Sequence, residues 1–168
     1  MMKRLVTVFL AACMMLSLVA CGGKTEATEP AKKAPETLGE HLLVDFEDRL
    51  AENGDLTAQE LADGILTNEL LQFAGGAMPV EEGYLTGFGN TEITGFSEGV
   101  MFAPMIGTIP FVGYVFVLEN EAAVEDFVTT LTENADPRWN ICTEAEETVV
   151  GSVANKVFFV MCPKTLEQ

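Results

Sequence analysis

Gly95-Phe96-Ser97-Glu98-Gly99 has the spacing G-x-S-x-G, in which a sharp turn between a strand and a helix presents a serine nucleophile. Two features of the flanking sequence argue against that chemistry. The residues that follow, "VMFAPMI", read as strand, and the single histidine, His41, precedes the serine, whereas this enzyme class places its base after it. His41 is read instead as a solvated residue at a helix start. Carboxylates alone can also hydrolyse, provided two of them flank the scissile bond at a set separation. Glu81, Glu82, Glu92 and Glu98 are the candidates for such a pair, but their spacing fixes no separation.

Metal ligation has weaker support. "RLAENGDLTAQE", residues 49–60, echoes a calcium loop, with Asn53, Gly54, Leu56 and Glu60 at its fifth, sixth, eighth and twelfth places. The first and third places, which must supply carboxylate oxygens, hold Arg49 and Ala51. Glu60 is better explained as part of a helix cap. Glu144, Glu146 and Glu147 read as a solvated acidic face. No metal and no cofactor is expected.

Cys142 and Cys162 could close a disulfide loop of about twenty residues, worth about 3 kcal/mol in the entropy model. If Val153 faces Lys156 across a turn, Cys162 lies opposite Glu147 with Cys142 further out, so a bridge needs residues 142–146 to fold back. The alternative is two buried free thiols. With Met101, Met105 and Met161 a soft-metal site could be drawn, but core packing accounts for those residues more simply.

Cys21 has another context. It ends an apolar stretch that opens with "LVTVFLAACMMLSL", about fourteen residues and so shorter than the roughly 20 of a membrane span. "MMKR" supplies Lys3 and Arg4 ahead of it, and Leu18-Val19-Ala20 lead into the thiol. Positive end, apolar core, small residue and cysteine together resemble the export signal and lipobox of bacterial lipoproteins. The resemblance implies that residues 1–20 are a signal peptide removed together with Cys13, and that a diacylglycerol is joined to the Cys21 sulfur as a thioether. The partner of that palmitate-type anchor would be the lipid bilayer at the extracytoplasmic face of the cell membrane. Two acyl chains hold firmly where one holds marginally.

Residues 22–37, "GGKTEATEPAKKAPET", have no apolar periodicity and read as a disordered tether whose coil dimension is on the order of 20 to 25 Å. Residues 21–37 thus form the lipidated cysteine and its leash, and 38–168 a single domain of about 130 residues, enough for one core. Removing Lys3 and Arg4 from the 9 basic residues leaves 7 against 26 acidic ones, a net −19. The leash lysines, Lys24, Lys32 and Lys33, balance Glu26, Glu29 and Glu36, so the excess falls on the domain. A globule this acidic repels phosphate backbones, which excludes nucleic acid as a partner.

The uncharged run 100–118, "VMFAPMIGTIPFVGYVFVL", is long enough to cross a bilayer, yet Pro104, Gly107, Pro110 and Gly113 would break a helix. Read as two strands around residues 106–110, it becomes the central hairpin of a sheet apolar on both faces. "DLTAQELADGILTNELLQF" predicts a helix capped by Thr57 and Glu60, with Leu61, Ile65, Leu66 and Leu70 as its buried stripe. "NEAAVEDFVTTLTENADP" predicts a second helix that opens on Asn120, buries Val124, Phe127, Val128 and Leu131, and ends near Asn134. "ETVVGSVANKVFFVMC" predicts two strands about Ala154-Asn155, and a shorter helix is expected over 41–52. The fold class is α+β: an antiparallel sheet of about four strands with two or three helices packed on it.

The signal, the leash and the segments "IPFVGYVFVLENEAAVEDF", "WNICTEAEETVV" and "NKVFFVMCP" together resemble small, functionally uncharacterised lipoproteins of Gram-positive bacteria. That resemblance implies the location and the α+β domain, and carries no site residues. The expected function is a noncatalytic, membrane-anchored binding or accessory module of the cell surface. Its bend at 105–111, with Ile106, Ile109 and Phe111, is the candidate contact for a protein or apolar ligand. The alternatives are an extracellular hydrolase built on a carboxylate pair and a structural envelope component.

Overall fold

Two T-x-x-E sequences start the first two helices. The computed structural model describes residues 34–106 and 108–166; the signal, Cys21 and most of the leash lie outside them. At Thr37 the side chain accepts the Glu40 amide while Glu40 accepts the Thr37 amide, and Thr57 with Glu60 repeats the arrangement. Each box satisfies two of the amides a helix start leaves open. The resulting helices are α1 (Leu38–Glu52) and α2 (Ala58–Ile65). α1 starts three residues ahead of the expected 41, because the Thr37 box lies where the leash was expected to end. It buries Leu38, Leu42, Phe46 and Leu50, one residue per turn. α2 buries Ala58, Leu61, Ala62 and Ile65 and stops there, leaving Leu70 42 % exposed rather than in its stripe.

The strands are β1 (Gly75–Pro79), β2 (Gly83–Tyr84), β3 (Glu92–Ile93), β4 (Glu98–Pro104), β5 (Val112–Val117), β6 (Glu147–Val153) and β7 (Lys156–Cys162). A 3-10 turn, Glu121–Ala123, runs into α3 (Val124–Asn134), and Asn120 caps it. β2 and β3 pair by themselves; the other five strands form one antiparallel sheet in the order β1-β4-β5-β7-β6. The expected α+β class is present, with five strands in the main sheet instead of about four. The uncharged run does fold as β4, a bend and β5.

Alternation along β5 and β7 sorts their side chains into two cores. Val115, Phe158, Val160 and Cys162 face α1 and α2; Val112, Tyr114, Phe116, Val157, Phe159 and Met161 face α3 and the segment 85–96. Both faces are therefore covered, which is why the central strands read as continuous apolar runs. The α3 face is aromatic: Tyr114 stacks on Phe116 with centroids 5.3 Å apart, and Phe127 meets Phe116 edge-on at 5.2 Å. The Tyr114 hydroxyl donates to the Thr86 carbonyl at 2.8 Å, so its polar end is satisfied.

Phe102 needs a gap across from it. It pairs with Gly113 on β5, and its ring lies where a Cβ on Gly113 would sit. Register fixes the ends of the sheet as well. Pro104, Val112, Glu147 and Cys162 lie at one end, the lip end; Glu98, Val117, Val153 and Lys156 lie at the other, the turn end. At the turn end Ala154 has φ 52°, and Asn155 holds the end of β5 by donating from Nδ2 to the Leu118 carbonyl at 2.6 Å.

Gly113→Ala is expected to lower the unfolding free energy by about 1–3 kcal/mol, because the phenyl ring of Phe102 must move. Gly76→Ala serves as the comparison, since its Cβ would meet only the flexible Met105 side chain, at 3.4 Å. Urea midpoints of the two variants measured side by side check the difference.

Candidate functional site

Ser97 sits immediately before β4 and is built into the sheet. Its amide donates to the Val117 carbonyl at 2.8 Å and its hydroxyl donates to the same oxygen at 3.0 Å. A strand follows it, as the sequence predicts, so the hydroxyl is not raised on a turn. His41 is exposed on the first turn of α1 and lines a cleft of about 260 Å³ with Leu70, Gln72 and Lys164 at the lip end. Ser97 is at the turn end, so a strand's length separates the two residues. Of the four candidate acids, Glu81 and Glu92 are exposed, and the other two are held by the backbone. Glu82 accepts the Gly95 amide, and Glu98 accepts the Ala58 amide at 3.4 Å, at the start of α2. Glu60 accepts both the amide and the hydroxyl of Thr57 at 2.9 Å, and these bonds lower its carboxyl pKa. Among the described residues no three His, Cys, Asp or Glu side chains converge to hold a metal ion.

Chemistry concentrates where α1 meets the end of the β6–β7 hairpin. The first amides of α1 are all used: Leu38 donates to the Lys164 carbonyl at 2.8 Å, Gly39 to Glu147 Oε1 at 2.8 Å, Glu40 to Thr37 Oγ1 and His41 to the Thr37 carbonyl. Glu147 thus places its carboxylate at the positive end of the helix dipole. Gly39 permits the approach, because a Cβ there would lie 2.8 Å from Val149 and 2.9 Å from Glu147 Oε1. Around this contact the Lys164 amide donates to Glu146 Oε2 at 2.9 Å, and the Glu146 amide donates to the Cys162 carbonyl at 3.0 Å.

Cys162 closes the cluster from inside. Its thiol is fully buried and donates to Glu147 Oε1 at 3.5 Å. Burial first, and then the neighbouring Glu147 carboxylate, push its pKa well above the ordinary thiol value. That is the opposite of a reactive cysteine. The expected register holds, with Val153 opposite Lys156 and Glu147 opposite Cys162, but both cysteines are free. The possible disulfide is absent for a geometric reason, and of the two free thiols only Cys162 is buried: residues 142–146 fold toward Pro137, whose carbonyl takes the Ala145 amide, and Cys142 faces solvent while the Cys162 thiol is in the core.

The lip itself differs from the expected contact set. Ile106 is 90 % exposed and Met105 72 %, whereas Ile109 packs against the α1–α2 core and Phe111 is buried. Phe111 is corrected to a core residue, with its ring 5.0 Å from Phe73 and 5.9 Å from Phe102. The structure adds Ile141, 98 % exposed, on the loop that docks beside the bend: Thr143 Oγ1 donates to the Thr108 carbonyl at 3.1 Å. A lone isoleucine in "WNICTEAE" gave no pattern by which to find it. The lip therefore consists of Met105, Ile106 and Ile141. No protein-family model matches the chain, and comparison with curated proteins and with solved structures finds no match.

A thiol reagent added to the folded protein is expected to modify Cys142 and to reach Cys162 only in denaturant; peptide mapping distinguishes the two. Stability is expected to fall as pH rises past about 9. The unfolded chain releases the Cys162 proton near the ordinary value of 9.0 while the folded state retains it. Raised folded pKa values give stability that is intact below the unfolded value and lost above it, with a slope of at most about 1.4 kcal/mol per pH unit per group. Tyr114, also raised by burial, adds its own loss past 10.0. Denaturant midpoints across this range in Cys162→Ala should lack the first segment of the decline.

Proposed function

We propose that the protein is a lipid-anchored extracytoplasmic module, a noncatalytic binding or accessory domain held at the cell surface through Cys21. One observation carries the noncatalytic part: two of the four candidate acids, Glu82 and Glu98, accept backbone amides instead of standing free. Glu147 holds the start of α1, and Glu98 and Glu60 hold the start of α2. A general acid or nucleophile must be free to exchange protons or bonds with a substrate. These groups instead stabilise helix ends.

The anchoring part rests on the order of Lys3 and Arg4, the apolar core and Leu18-Val19-Ala20-Cys21. The means of attachment it implies is a thioether-linked lipid; among the described residues no helix is long and apolar enough to cross a membrane. The contact surface we propose is the lip of Met105, Ile106 and Ile141, large apolar side chains exposed on two loops that the Thr143–Thr108 bond joins.

Cell fractionation tests the reading. Wild-type protein is expected in the membrane pellet with a diacylglyceryl group on Cys21 by mass spectrometry. Cys21→Ala is expected to move it almost wholly to the soluble fraction, since each buried methylene of the lost chains contributes about 0.8 kcal/mol. A bare thiol at residue 21, or equal retention of the variant, overturns it.

A further inference from the structure

We infer that the free edge of β6 is a strand-addition site for an extended segment of another protein, whose lysine or arginine side chains sit in the groove between β6 and α3. This site is separate from the lip, and it stands whether or not Cys21 carries a lipid.

Backbone geometry leaves this edge open. The Leu118 amide donates to the Asn155 carbonyl, so β7 turns the backbone groups of Val157, Phe159 and Met161 toward β5. Lys156, Phe158, Val160 and Cys162 turn theirs toward β6, where they face Val153, Gly151, Val149 and Glu147. The amides and carbonyls of Thr148, Val150 and Ser152 therefore point out of the sheet, and among the described residues none of them has a hydrogen-bond partner. The strand itself suits pairing. It is rich in valine, lacks proline, and has one charged side chain, Glu147, already bonded to the Gly39 amide. The opposite edge of the sheet is blunted: β1 is shorter, starts on two glycines, and its last outward position is Pro79, which has no amide to give.

Shape and charge name the occupant. Val150 and Ser152 direct their side chains to the α3 face, where a groove of about 520 Å³ is lined by Val124, Val128, Glu121, Glu125 and Ser152. Both glutamates are exposed. The 3-10 turn and α3 add Asp126 and Glu133, and they contain no lysine or arginine. Lys156, the basic residue of the hairpin, is on the opposite face and donates to the Gly54 carbonyl. α1 on that face also has more acids than bases, and its Arg49 is paired with Asp45. An added strand lies about 4.8 Å from β6, and every second side chain of it falls over the groove. A lysine or arginine there lays its stem on Val128 and brings its charge to Glu121 and Glu125. Main-chain bonds to the edge then supply affinity and the groove supplies selection. A second copy is the poorer occupant, because a chain of net charge −17 repels its own kind.

The full chain in neutral detergent micelles is mixed with an amidated peptide of alternating lysine and valine, and separately with the same peptide carrying glutamate for lysine. Amide hydrogen exchange is read residue by residue by NMR. The lysine peptide is expected to slow exchange at Thr148, Val150 and Ser152 by about tenfold or more, and to leave Gly75 and Ala77 of β1 unchanged. Val150→Pro removes the central donor without touching a bond between β6 and β7, and should abolish the effect. Glu121→Gln with Glu125→Gln, both at exposed positions, should weaken the peptide roughly threefold to tenfold and reduce its sensitivity to salt. If the proline variant fails to fold, the glutamine pair decides. Equal binding of the glutamate peptide, no slowing at the three amides, or unchanged affinity in the glutamine variant overturns the inference. Protection of those amides that appears without peptide and grows with protein concentration assigns the edge to a second copy and overturns it as well.

Discussion

The bond from the Gly39 amide to the Glu147 carboxylate ties together parts of the chain that lie far apart in sequence. It joins the first helix to a strand made more than a hundred positions later, with Glu147 Oε1 serving as acceptor for both Gly39 and the Cys162 thiol. A carboxylate at a helix start is favoured by the local dipole, and beside a buried thiol it holds that thiol protonated. With Leu38 bonded to Lys164, the start of α1 is held to both sides of β7's end. The start of the first helix, the end of the β6–β7 hairpin and the thiol chemistry thus share one structural origin.

Around that contact the sheet is filled from both sides. α1 and α2 cover one face, α3 and segment 85–96 the other, and every strand pair in the main sheet is antiparallel. Three layers usually accompany parallel strands joined by helices. Here hairpins set the order and the helices come from the intervening segments. The result is a strand such as β7, in which Val157 through Cys162 are all buried although neighbours face opposite ways. Such strands demand close fit, and the Phe102–Gly113 pair is its sharpest instance, a large ring accommodated by a missing side chain.

Much of this was legible beforehand, for physical reasons. The central hairpin was readable because proline and glycine forbid the helix that hydropathy alone suggests. The β6–β7 register was readable because a two-residue turn leaves little choice, and α2 because its box precedes its apolar stripe. β1 was missed: "GGAMP" holds no β-branched residue, and its pairing with β4 is a tertiary fact. The Thr37–Glu40 box was absorbed into the leash, whose composition masked it. Phe111 is buried although its place beside a bend suggests the lip, since apolar type does not tell inside from outside there. Ile141 and the free state of Cys142 depend on how residues 137–145 fold back, and no periodicity reports that.

The strand order has a kinetic corollary. β7, the last in chain order of the described strands, lies between β5 and β6, and the acceptors for the first helix come from residues 147 and 164. A chain delivered from its amino end can form local helices and the β4–β5 hairpin, yet it cannot close either core until β7 arrives. Neither core can therefore close until residues 147–164 are available, and the apolar strands need shielding until that segment docks.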